Sequence, residues 1–274
     1  QLMLGRFMPI ASVGIYNRAN TVSGLPDRIF LSAVFTVAFP MLSAHARAGG
    51  DISRAYIRAL SYISVVYWPA QILLALLAYP AVEIILGPGW SEAALIVAIT
   101  SLASLFWFPV ILTYPLLMAL GANREAFISN LIARSVATAI LCLAAFHGLL
   151  AVALSQFISL PFQMIIAIVY VRKHVAFSYR VLVIALLRSA SVTLFALAGP
   201  FAMVAANGFG VEMAFTKALL IGLLAVAGWL VALLVTRHPF SDELRAVFRP
   251  VVIHLKARFG RVAPAWSKLS EPAE

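Results

Sequence analysis

Four charged side chains in an otherwise apolar chain offer the chemistry here: Arg18, Asp27, Arg28 and Arg134. A guanidinium presents a rigid fork of N–H donors that matches the oxygen pairs of a phosphate. A charge at the centre of a bilayer costs at least about 2.5 kcal/mol, so an ionised group there pairs, reaches the headgroups or faces water. Asp27 and Arg28 are adjacent and point about 100° apart on a helix, so they do not pair with each other. Two readings of this dipeptide stand. In one, Pro26 takes the first helical position, Asp27 favours the positive helix end, and Arg28 reaches the headgroups. In the other, Arg18 and Arg28 face a cavity and hold an anion. Arg134 lies roughly 12 Å into its helix, where it either faces a cavity or pairs with a carboxylate or carbonyl inside the bundle. Arg188 and Lys217 lie nearer helix ends and reach outward.

No catalytic group accompanies them. The ten acidic residues contain no pair suited to acid–base work. The five histidines, at 45, 147, 174, 238 and 254, lack metal-ligand spacing, and Cys142 is alone. No phosphate-cradling glycine loop occurs. Neither an enzyme, a metal nor a cofactor is expected.

The elements that must hold these charges follow from composition. Of 274 residues, 63% are hydrophobic and 11% charged, against about 25% charged in soluble domains; the mean hydropathy is +1.00. A soluble core cannot hide that much apolar surface. The sequence predicts an all-α polytopic membrane bundle of about seven transmembrane helices: 25–44, 59–79, 93–120, 126–146, 149–171, 181–206 and 213–235. The segments are long and apolar on all sides, unlike the alternating strands of a β-barrel.

Charge placement tests that count. Connections carrying Arg47, Arg54 and Arg58, then Arg124, then Arg172, Lys173 and Arg180, alternate with connections that carry no Lys or Arg. With seven more after Val235, 14 of the 20 basic residues fall on one side. Basic connections are cytoplasmic, so the C-terminus is expected in the cytoplasm, and Arg6 and Arg18 are exceptions on the outer side. The net charge of +10 is explained by this asymmetry, and nucleic-acid binding is not expected. Prolines 40, 69, 109, 115, 161 and 200 predict kinks. From Ser241 the tail reads as a basic amphipathic helix that either lies on anionic inner-leaflet lipids or docks on the protein's own cytoplasmic face.

Several motifs then carry a resemblance. LGRF (4–7), VGIYNRA (13–19), LPDRIF (25–30), FPMLS (39–43), AYIRAL (55–60), LGPGW (86–90) and ALGANRE (119–125) resemble, in order and spacing, the second half of polysaccharide flippases of the multidrug/oligosaccharidyl-lipid/polysaccharide exporter superfamily. The resemblance covers residues 2–172; later helices fit in hydropathy only. It implies residues 1–15 as the end of a truncated helix and loop, 16–180 as five helices of a C-terminal lobe, 181–236 as two additional helices, and 237–274 as a cytoplasmic basic tail. The chain is therefore expected to be a fragment whose partner is an N-terminal lobe. The implied activity is multi-pass transport in the bacterial inner (cytoplasmic) membrane. A lipid-linked oligosaccharide of the undecaprenyl pyrophosphate type would move from inner to outer leaflet by alternating access, for lipopolysaccharide or exopolysaccharide biosynthesis. Arg18, Arg28, Asp27 and Arg134 are the candidate substrate-binding residues, and Gln156 and Gln163 either join helices or line a sugar path. Alternatives are an ion-coupled drug exporter, which should show buried mid-helix carboxylates, and a non-transporting truncated scaffold. A polysaccharide polymerase would need a long outer loop, which the sequence lacks.

Overall fold

The computed structural model describes residues 4–33, 50–206 and 215–245, and all regular structure among them is helical. In chain order the helices are α1 (Leu4–Phe7), α2 (Ile10–Ser23), α3 (Leu25–Ala33), α4 (Ile52–Leu76), α5 (Ala78–Leu86), α6 (Ser91–Ala103), α7 (Phe108–Ala119), α8 (Asn123–Ala145), α9 (Leu149–Arg172), α10 (Tyr179–Ala206) and α11 (Phe215–Val235). Helices α4, α8, α9, α10 and α11 are each long and apolar enough to cross a membrane, and α6 with α7 makes a sixth, bent span. The protein is a polytopic helical bundle. The rest of the expected first span with Pro40, the connection residue Arg47, and the tail after Arg245 lie outside the described residues.

Three boundaries differ from the sequence expectation. The helix expected to start at Leu25 is preceded directly by another: α2 begins at Ile10, and α3 follows it through Gly24 alone, whose N–H bonds Asn20 O at 3.1 Å. Helix α4 starts at Ile52 because Asp51 caps it, its carboxylate accepting the Arg54 N–H at 3.0 Å. Arg54 and Arg58 therefore ride the first turns of a span instead of a loop. The expected span 93–120 is broken: a 3₁₀ turn (Ser104–Phe106) separates α6 from α7, and the two parts bend by 46°.

Pro109 sits just past the break. Lacking an N–H, it leaves the carbonyl of Leu105 without its helical partner, and the Trp68 indole donates to that oxygen at 3.0 Å. Pro69 in α4 frees the carbonyl of Val65 in the same way, and the Trp229 indole from α11 donates to it at 2.8 Å. Bilayer hydrocarbon offers no water to satisfy such groups, so neighbouring helices must. Two tryptophans thus serve as cross-helix donors to two proline-freed carbonyls. Trp68 also meets Phe108 edge-on, with ring centroids 5.3 Å apart.

The spans turn sharply at glycines. Gly121 has φ +72°; its N–H bonds Met118 O at 3.1 Å while the Ala122 N–H bonds Leu117 O at 2.8 Å, which is a Schellman ending to α7. Gly148, φ +93°, starts α9. The core divides by depth. One cluster joins Tyr16 and Val22 of α2 to Val82, Val97 and Val152 at the non-basic end. A second joins Tyr56, Leu60 and Tyr67 of α4 to Leu112, Leu116 and Phe177 toward the basic end, and smaller clusters flank these two.

Helices α10 and α11 form a hairpin against α4. A Cβ at Gly228 would stand 2.9 Å from the carbonyl oxygen of Ala196, the group that Pro200 leaves free. Glycine here lets the two backbones approach where a larger residue would not fit.

Candidate functional site

The expected site residues do not all meet. Asp27, Arg28 and Arg134 line one cavity of about 810 Å³, together with Trp107, Asn123 and Asn130. A second cavity, of about 390 Å³, shares Asp27, Trp107 and Arg134 with it and adds Asn20, Gln156 and Gln163. Arg18 lines neither. It lies toward the non-basic end, its guanidinium 5.8 Å from the centre of the Trp90 ring.

Arg134 is carried on α8, whose first turn is acidic through Glu125. Neither Arg28 nor Arg134 forms an ion pair with Asp27 or with any other described carboxylate. Arg134 instead stands over the face of Trp107, 5.3 Å from the ring centre, an attraction that leaves its N–H groups free to bond elsewhere. Trp107 is the residue between the 3₁₀ turn and α7. Cys142 lies on the same helix two turns after Arg134 and is partly buried.

Asp27 is positioned by α4. Its carboxylate accepts hydrogen bonds from the Tyr67 hydroxyl and from Gln71 Nε2, the latter at 3.2 Å, and Gln71 Nε2 also reaches Tyr67 Oη at 3.0 Å. Tyr67 and Gln71 are both fully buried. They lie four residues apart, hence on one helix face. That spacing was the available signal for an Asp27 anchor, and the sequence reading passed it by. Because α2 runs into α3, Asp27 does not cap an isolated helix end; it ties α3 to α4.

The narrower cavity is polar. Gln156 donates to Tyr16 Oη at 3.1 Å and accepts from Ser159 Oγ at 3.2 Å, so it both joins α9 to α2 and lines the cavity. Gln163 is 4% exposed, and its Oε1 is buried without a protein partner. A buried acceptor in that condition favours a ligand donor. Asn123 and Asn130, which the sequence reading did not single out, add amides to the wider cavity. Tyr16 and Tyr67 are both core residues, 5% and 0% exposed.

At the basic end, Ser61 Oγ lies 3.0 Å from His238 Nε2, and Ser189 Oγ lies 2.9 Å from Ser64 Oγ and 3.3 Å from the same imidazole nitrogen. This buried network fastens the turn after α11 to α4 and α10. His238 Nδ1 accepts the Phe240 N–H at 3.2 Å, so the imidazole caps the helical turn that begins at Phe240. Burial, then the nearby Arg188 charge, push the His238 pKa down to about 4.

The family model described as "Polysaccharide biosynthesis protein" matches residues 1–95. The succinoglycan biosynthesis transport protein ExoT of Rhizobium meliloti is 27% identical over 137 residues, which cover 50% of this chain and 28% of that protein. The match thus spans less than a third of the relative's length. No solved structure matches. Both matches bear out the resemblance to proteins of polysaccharide biosynthesis and transport.

Proposed function

We propose that this chain is one lobe of a flippase that carries a lipid-linked oligosaccharide or polysaccharide precursor from the inner to the outer leaflet. The observation that carries the reading is the pair of adjoining cavities walled by Asp27, Trp107 and Arg134. The wider one holds two guanidiniums, Arg28 and Arg134, that no described carboxylate neutralises. Two forks suit the two phosphates of a pyrophosphate. The narrower one offers amides and hydroxyls, and the unpartnered Oε1 of Gln163 suits a sugar hydroxyl. Trp107 between them gives a flat apolar face for a sugar ring.

The relative's role in succinoglycan transport supports this cargo class. In this reading a second lobe faces the cavities and completes the path, and the protein lies in the bacterial inner membrane with its C-terminus in the cytoplasm. Alternating access would use the break at Ser104–Phe106, because Trp107 belongs to both the bend and the cavity wall.

The test is a leaflet-resolved assay of lipid-linked oligosaccharide in cells that lack the full-length protein. Precursor should accumulate in the inner leaflet, and the intact gene should restore export. Export that proceeds unchanged without the protein would refute the proposal.

A further inference from the structure

A third cavity, of about 360 Å³, lies at the basic end between α4, α10 and the turn after α11. It is separate from the two cavities above, and no residue is shared. Its charged lining is Arg54, Arg58, Arg188 and Asp51. Asp51 engages Arg54, with N and O 3.5 Å apart, at the exposed rim. Arg58 and Arg188 have no described ion-pair partner. Two further carboxylates stand close by on the segment after α11: Glu243, which accepts from Tyr62 Oη at 3.4 Å, and Asp242, which lies 4.0 Å from Arg245; neither lines the cleft. The lining therefore keeps a positive excess. Ser53 and Ser178 add hydroxyls.

Depth and surroundings identify the occupant. Arg188 lies nine residues into α10, and Ser61 at the cavity floor lies nine residues into α4, each roughly 13 Å from its helix start. The cavity thus runs from the headgroup level into the edge of the hydrocarbon. Its α10 wall continues as apolar surface: Val181 lines the cavity and is 51% exposed, and Ile184 and Leu187 beside Arg188 are 44% and 60% exposed. A soluble anion would use only the arginines. A phospholipid uses both, with its phosphate on the guanidiniums and its acyl chains along α10.

We infer that this cleft binds the phosphate headgroup of an anionic phospholipid from the leaflet facing the basic end. Basic pockets between spanning helices on the cytoplasmic side suit such headgroups. The lipid neutralises Arg58 and Arg188 at the seam where the α10–α11 hairpin meets α4. The expected tail–lipid contact is distinct, since no residue from Ser241 onward lines the cleft.

The test uses the full chain in neutral detergent, titrated with short-chain phosphatidylglycerol and followed by native mass spectrometry. One tightly retained lipid is expected, with phosphatidylcholine at least tenfold weaker. The double variant R58A/R188A should weaken phosphatidylglycerol binding at least tenfold. R58K/R188K, which keeps the charge and guards against a simple folding defect, should retain most of it. K217A, in a different helix, should change nothing. Equal binding of phosphatidylcholine, full competition by inorganic phosphate, or undisturbed binding in R58A/R188A would each overturn the inference. So would a clear preference for undecaprenyl pyrophosphate, which would make the cleft a cargo site. None of these readouts depends on flipping activity, so the outcome is independent of the transport proposal.

Discussion

The Arg134 guanidinium stands 5.3 Å from the centre of the Trp107 ring, and Trp107 occupies the break where the α6–α7 span bends by 46°. The cation in the cavity therefore leans on the joint of a bent span. Loss of the cation and loss of the ring should both impair transport. R134A is expected to lower flipping at least tenfold at unchanged protein level, which corresponds to about 1.4 kcal/mol or more. R134K should retain part of the activity, since it keeps the charge but loses the fork. Full activity of R134A in the leaflet assay would remove Arg134 from the cargo path.

Tyr67 and Gln71 hold Asp27, and the expected effect of breaking that hold is structural. Y67F should lower the thermal stability of the detergent-solubilised protein by about 1–3 kcal/mol, because a partly buried carboxylate loses a donor. D27N keeps an acceptor for both partners and should cost less. Equal losses in the two variants would show that the carboxylate charge itself is what the site needs.

The tryptophan-to-carbonyl bonds allow a double-mutant cycle. W229F leaves the Val65 carbonyl without a donor and should cost about 1–3 kcal/mol. P69A returns an N–H to that same carbonyl, so W229F/P69A should lose less than W229F alone. Strict additivity of the two changes, read by thermal unfolding, would show that Trp229 stabilises by packing only.

Gly228 and Gly222 lie on the same helix and should respond oppositely to alanine. A methyl at Gly228 meets backbone atoms of Ala196 at 2.9 and 3.3 Å, whereas one at Gly222 meets nothing within 4 Å. G228A is expected to pry α11 from α10 and destabilise by about 1–3 kcal/mol. G222A should gain up to about 1 kcal/mol from helix propensity. Similar melting shifts for both would sink the close-approach argument.

His238 makes the hairpin sensitive to acid. Its folded pKa, about 4, lies below the ordinary 6.5, so between those values the unfolded chain binds more protons than the folded one. Stability from this group is complete above about pH 6.5 and falls as pH drops toward 4. H238Q, which cannot gain a proton, should flatten the stability–pH curve across that window. A wild-type curve flat from pH 7 to 4.5 would contradict the burial of the imidazole.

Hydropathy and the alternation of basic connections made the spanning helices legible, because both are summed over many residues. Boundaries were less so. The Asp51 cap extends α4 past what hydropathy marks, and the break before Trp107 involves a carbonyl, that of Leu105, which Pro109 frees and Trp68 of another helix satisfies. Composition could flag Asp27, Arg28 and Arg134 as costly charges. It could not say that these three share a wall while Arg18 lies against Trp90, since that needs the packing of α3, α6, α7 and α8. Gln163 illustrates the limit well. Its unpartnered oxygen is a property of its surroundings, and no local pattern announces it.

The lone thiol of Cys142, two turns along α8 from Arg134, gives the protein a built-in attachment point for a paramagnetic or fluorescent tag. Within these 274 residues no competing cysteine needs removal, and the tag would ride the same rod as the cavity cation. Its spectrum, recorded with and without added precursor, would report any rearrangement of that helix when precursor binds.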